Sequence, residues 1–134
     1  MASTQTFGAA DVIVASSPGR GRGVFARRPF ARNEVIELCP VIALSERDAE
    51  RLNETGLYDY YFGWGKDGKG AAIALGYGSL YNHSFTPNAE HRKDTADSTM
   101  SIVAVREIAA GEEIFIRYQT GMQDEQQGMW FEVR

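Results

Sequence analysis

The sequence predicts a mainly β domain of short strands. Three observations carry that prediction. Glycine, proline, serine and asparagine clusters punctuate the chain at short intervals, the runs between them favour β structure, and only one segment carries a helix-start pattern. Residues 11–15 form the first β-rich run, which ends at the turn signal Ser16-Ser17-Pro18-Gly19. Runs at 23–27 and 34–38 follow, separated by Pro29 and Asn33, and 41–44 is a further apolar run. Ser45 reads as an N-cap with Asp48 three residues on, opening one short helix to about Asn53. The aromatic run 57–64 ends at Gly65-Lys66-Asp67-Gly68, and runs at 71–75, 89–91, 100–106 and 113–118 complete the strands.

Length and composition bound what such a domain can do. A chain of 134 residues corresponds to one domain. It buries about two-thirds of its unfolded surface, enough for a core without staples. Nothing repeats and no linker divides it, so residues 1–10 are expected to be a flexible N-terminal segment ahead of one domain, 11–134. With one cysteine, Cys39, and two histidines, His83 and His91, neither an internal disulfide nor a structural zinc site is expected. That composition points to a reducing, intracellular compartment. No run reaches the roughly 20 apolar residues of a membrane span, and the first residues lack the basic and apolar regions of a signal peptide. The net charge of −4 disfavours direct nucleic-acid binding and favours a basic partner.

Three segments carry the functional signal. The first is Gly19-Arg20-Gly21-Arg22-Gly23-Val24-Phe25-Ala26, whose glycines permit close backbone approach or unusual dihedrals. No helix pattern follows it, so a phosphate-binding loop is excluded by context. A ligand-free tight turn and a short arginine–glycine nucleic-acid segment are its other readings. The second is Asn82-His83-Ser84-Phe85-Thr86-Pro87-Asn88, which gathers many hydrogen-bonding groups in a short turn and also matches a glycosylation sequon. The third is Gly111-Glu112-Glu113-Ile114-Phe115-Ile116-Arg117-Tyr118, a turn followed by a strand. None of the three decides a function alone. The tail closes on Met129-Trp130-Phe131, a large apolar cluster expected to dock on something.

Together and in this order, the segments resemble those of the SET-domain protein-lysine methyltransferases. That family carries a Gly-x-Gly-Val/Leu-Phe/Tyr-Ala turn, an Asn-His-Ser-x-x-Pro-Asn segment and a Gly-Glu-Glu-Leu/Ile-x-x-x-Tyr strand. Here they fall at 21–26, 82–88 and 111–118, with Asp59-Tyr60-Tyr61-Phe62 where the family often has an aromatic strand. The resemblance spans roughly residues 11 to 118, and the compact spacing is most similar to small free-standing or virus-encoded members. It implies the SET β-clip, small sheets around a C-terminal pseudoknot. It also implies a site for S-adenosylmethionine (AdoMet) at Gly21, Gly23, Val24, Asn82 and His83. Arg20 or Arg22 is assigned to the cofactor carboxylate by chemistry, not by motif. Tyr118 takes the position of the catalytic tyrosine, and Tyr60 and Ile116 those of lysine-channel residues. The cysteine-rich zinc segment that many members place after the catalytic strand is absent, so Trp130 or Phe131 is the natural aromatic to pack on adenine, and no metal is expected.

The resemblance further implies methyl transfer to a lysine on a basic tail, a histone being the favoured partner. Action would then be in the nucleus or on chromatin for a eukaryotic or viral chain, and in the cytoplasm otherwise. A homodimer is expected because a domain without flanking subdomains leaves strand edges to cover. The alternative is a SET-fold module that binds a lysine peptide or AdoMet with little turnover. Retention of Tyr118, Asn82 and His83 favours the enzyme.

Overall fold

A computed structural model describes residues 9–117 of the chain. The elements run β1 (Val12–Ser17), β2 (Gly21–Ala26), β3 (Val35–Leu44), α1 (Glu46–Leu52), β4 (Tyr61–Trp64) and β5 (Gly70–Ala74). A short 3-10 helix (Gly78–Leu80) then leads into β6 (Asn82–His83), β7 (Ala89–Asp94), β8 (Thr99–Ala104) and β9 (Glu113–Ile116). The mainly β architecture is the one the turn-punctuated sequence predicts.

The strands form two sheets, ordered β1-β2-β9-β6 and β4-β5-β3-β8-β7. In the first, β1 and β2 make an antiparallel hairpin, and β2 pairs antiparallel with β9. The last strand among the described residues, β9, therefore lies in the interior of that sheet, with β6 parallel on its other side. Alternation explains how β9 tolerates that place. Ile114 and Ile116 are fully buried in the core, while Glu113 and Phe115 point to the opposite face. The core gathers side chains from both sheets, among them Val24, Phe30, Met100, Ile102, Ile108, Ile114 and Ile116. Each such burial is worth about 1.5–3 kcal/mol.

Two local structures differ from the sequence expectation. The runs at 34–38 and 41–44 are one strand, β3, which passes straight through Pro40. Its first half pairs with β8 as far as Pro40↔Thr99, and its second half pairs with β5 from Val41↔Ala74. Pro40 stands at the handover, where its carbonyl accepts the Leu75 amide at 2.9 Å, so a residue lacking an N–H fits without ending the strand. The aromatic run is extended only from Tyr61. Ahead of it the chain turns, with Tyr58 N donating to Thr55 O and Tyr60 N to Leu57 O. Thr55 helps, because its hydroxyl accepts the Leu57 amide at 3.1 Å and offers the backbone an alternative to a ladder.

The helix forms where its cap predicts. Ser45 Oγ accepts the Asp48 amide at 3.1 Å, and Asn53 closes the helix. The carboxylate of Glu37, only 3 % exposed on β3, fixes the approach to β6. It accepts the Tyr81 hydroxyl at 2.7 Å and the Tyr77 amide at 2.9 Å, tying both ends of the 3-10 segment to the core. Burial pushes the Glu37 carboxyl above its ordinary range, and those two hydrogen bonds oppose the shift. Cys39 lies buried beside it, its thiol pushed up by burial and by the Glu37 charge.

Candidate cofactor and catalytic site

The three sequence segments, far apart in the chain, meet on β9. Segment one is β2, paired with β9 through Val24↔Ile114 and Phe25↔Glu113. Segment two is β6, paired in parallel through Asn82↔Phe115 and His83↔Ile116, and Ser84 N extends the pairing by donating to Ile116 O at 2.9 Å. The sequence suggests only a turn at Asn82-His83. A strand this short exists because β9 supplies the ladder.

Asn88 locks the second segment to the third. It is 1 % exposed, its Oδ1 accepts the Phe115 amide at 2.7 Å, and its Nδ2 donates to the Glu113 carbonyl at 2.8 Å. A single carboxamide thus pairs with the β9 backbone as a neighbouring strand would, which explains the position of an asparagine after Pro87. Glu112 shapes the turn into β9. Its carboxylate accepts the Ala109 amide at 2.9 Å and Arg106 at 2.9 Å, and these hold its pKa below the usual range.

Asn82 joins all three segments. Its Nδ2 donates to the Arg22 carbonyl at 3.0 Å and to Glu113 Oε2 at 2.8 Å, while Ser17 Oγ donates to Glu113 Oε1 at 2.8 Å. Gly23 lies flush against this cluster, because a Cβ there would overlap the Glu113 carboxylate and stand 2.7 Å from Asn82 Nδ2. Gly21 is different. Its φ of +82° requires glycine, and a Cβ there would meet nothing within 4 Å, so this end of β2 faces open space.

The remaining expected site residues divide between this hub and other places. Arg20 sits just ahead of β2 with its guanidinium 4.9 Å above the Phe115 ring, and Arg22 is exposed beside it. His83 is buried and meets Phe85 edge-on at 4.4 Å, with the Arg117 guanidinium 5.3 Å from that same ring. The Val24 side chain belongs to the core, as does that of Ile116, both fully buried. Tyr60 is 43 % exposed and lies immediately before β4 on the five-stranded sheet, and no pairing or hydrogen bond among the described residues links it to the hub. Tyr118, Trp130 and Phe131 lie outside the described residues. Sequence reasoning quoted Glu113 and Asn88 inside its motifs without giving either a role, and it missed Ser17 and Glu37. Nothing in their local sequence announces the contacts, which are all long-range.

The donor set fits the head group of AdoMet, an α-amino acid. Asn82 Oδ1 makes no hydrogen bond among the described residues and is an acceptor suited to an ammonium. The exposed Arg22 and the half-buried Arg20 suit a carboxylate, and the open Gly21 backbone admits a ligand close to both.

The SET domain family model matches residues 21–119, which takes in all three segments. A histone-lysine N-methyltransferase of Schizosaccharomyces pombe, specific for H3 lysine-37, is 37% identical over 100 residues, covering 74% of this chain and 67% of that protein. Among solved structures, a proposed histone methyltransferase of Plasmodium falciparum superposes with a TM-score of 0.62 at 31% identity, covering 81% of this chain and 93% of the other. On the convergence of its three segments, the extent of the family match and the identity to that relative, this chain belongs to the SET-domain family of protein-lysine methyltransferases.

Proposed function

We propose that this enzyme transfers a methyl group from AdoMet to a lysine on a histone tail, and that it binds AdoMet at the junction of β2, β6 and β9. The observation that carries the site is the meeting of Arg22, Asn82 and Glu113 beside an open Gly21. The substrate class rests on the S. pombe relative and on charge, since a chain of net charge −4 attracts a basic tail. Action on chromatin follows from that substrate.

Bound at this junction, AdoMet supplies an electrophilic methyl group on a sulfonium. The protein must present a neutral lysine amine to it, although a free lysine has a pKa near 10.4. Tyr60, Ile116 and Tyr118 are proposed to line the lysine channel, whose low polarity disfavours the ammonium form. Tyr118 orients the nitrogen and stabilises the transition state electrostatically. Strand alternation supports approach from two sides. Glu113 and Phe115 face Asn82 and Arg20, whereas Ile114 and Ile116 face the other way.

The C-terminal Trp130 is proposed to close over adenine, and residues 11–134 to act as one unit. A homodimer is proposed because the edge strand β1 has only β2 as a partner among the described residues; light scattering at micromolar concentration should give twice the chain mass. The functional test is transfer of labelled methyl from AdoMet to a histone mixture. Label on histone protein supports the proposal, and label confined to free AdoMet, with calorimetry showing binding, supports a binding module instead.

A further inference from the structure

We infer that Glu113 is a positioning residue for the cofactor, acting through Asn82. The inference rests on the proposed binding of AdoMet at Asn82. A carboxamide can be turned over by a half rotation that exchanges its oxygen and nitrogen, so an asparagine in a site is useful only when its orientation is fixed. Here two acceptors flank the same atom. Asn82 Nδ2 lies 3.0 Å from the Arg22 carbonyl and 2.8 Å from Glu113 Oε2. Turning the amide over would place its oxygen against a carbonyl and a carboxylate, with two hydrogen bonds exchanged for two repulsions. Both Nδ2 hydrogens are thereby committed, and Oδ1 is presented as an oriented acceptor.

Glu113 is itself aimed from the far side. Ser17 Oγ, on a residue 2 % exposed at the end of β1, donates to its Oε1 at 2.8 Å. The carboxylate therefore stands between Ser17 and Asn82, and its position is set by β9, the strand that the other two segments pair with. Gly23 completes the arrangement, since any side chain there would occupy the space of this carboxylate and amide. The two glycines of β2 thus serve different ends. Gly21 leaves open the face that receives a ligand, and Gly23 leaves room for the pair that orients Asn82.

The test measures AdoMet affinity by calorimetry and the urea unfolding midpoint of the cofactor-free protein. It compares the wild type with Asn82→Ala, Glu113→Gln and the double variant. Asn82→Ala should weaken AdoMet by about tenfold or more, the loss of one hydrogen bond to a charged group. Glu113→Gln keeps the shape but loses the charge that strengthens the Asn82 hydrogen bond and the second acceptor that Ser17 Oγ uses, and should weaken AdoMet by up to a similar factor. The double variant should bind no more weakly than Asn82→Ala alone, because a positioning residue has nothing left to position. If Asn82→Ala binds as the wild type, the cofactor reading of Asn82 fails and the inference with it. If Asn82→Ala weakens binding while Glu113→Gln does not, or if the two losses multiply in the double variant, the cofactor reading stands and the positioning role is overturned. Should Glu113→Gln fail to fold, Ser17→Ala carries the same test. It should weaken AdoMet severalfold in the wild-type background and not at all beside Asn82→Ala, and an equal loss in both backgrounds would overturn the inference.

Discussion

His91 gives the protein an acid sensitivity whose size can be worked out from its surroundings. The residue lies on β7 opposite Ile102, with its ring 5.0 Å from that of Phe62 and its Nδ1 buried without a hydrogen bond. Burial, reinforced by the nearby Lys93 charge and opposed by Glu90, lowers its pKa to about 4. A histidine in the unfolded chain titrates near 6.5. Between those values the unfolded state binds a proton that the folded state refuses, so stability is whole above pH 6.5 and is lost as pH falls toward 4. At about 1.36 kcal/mol per pH unit the full span corresponds to about 3 kcal/mol, and the partial exposure of the ring brings the expectation to about 1–2 kcal/mol. His91→Phe removes the titrating group and keeps a ring beside Phe62. Urea unfolding at several pH values from 7.5 to about 4.5 should show the wild type losing that amount relative to the variant. Comparing the two proteins removes other contributions, including Glu37, whose raised pKa works in the opposite sense, and Glu34 and Glu112, whose lowered values make stability fall further in acid. Parallel pH profiles for wild type and variant would refute the reasoning.

Deleting residues 128–134 should weaken AdoMet binding and leave the unfolding midpoint unchanged; unchanged calorimetric affinity would place the adenine contact elsewhere. The wild type should add more than one methyl group to its lysine, since Ile116 has no hydroxyl to hold a water in the space a second methyl needs, and Ile116→Tyr should shift products toward monomethyl-lysine by mass spectrometry. Because Ile116 is fully buried, the larger ring should also cost about 1–3 kcal/mol in urea unfolding.

Much of the fold was legible because its determinants are local. The Ser45 cap, the Gly65–Gly68 turn and the alternation of β9 each announce themselves within a few residues, and the structure shows each in place. What was illegible depends on partners distant in the chain. Pro40 stops a strand on propensity alone, and only the handover from β8 to β5 makes it acceptable. The strand at Asn82-His83 exists through pairing with a segment more than thirty residues later. In the candidate site, motif order marked segments that the fold brings together but not the contacts made inside them. That Gly23 serves Glu113, that Asn88 substitutes for a strand, and that Ser17 reaches across 96 positions are contacts no local pattern encodes.

The central claim is that a methyl group passes from AdoMet to a lysine nitrogen under the control of Tyr118. Its most direct test is peptide-resolved mass spectrometry of histone H3 after incubation with the enzyme and AdoMet, beside Tyr118→Phe protein of matched AdoMet affinity. The account predicts mass increments of whole methyl groups on a lysine side chain, growing with time and reduced about 10²-fold or more by the substitution. Lysines that stay unmodified while AdoMet is bound, or transfer by Tyr118→Phe within threefold of the wild type, would contradict it.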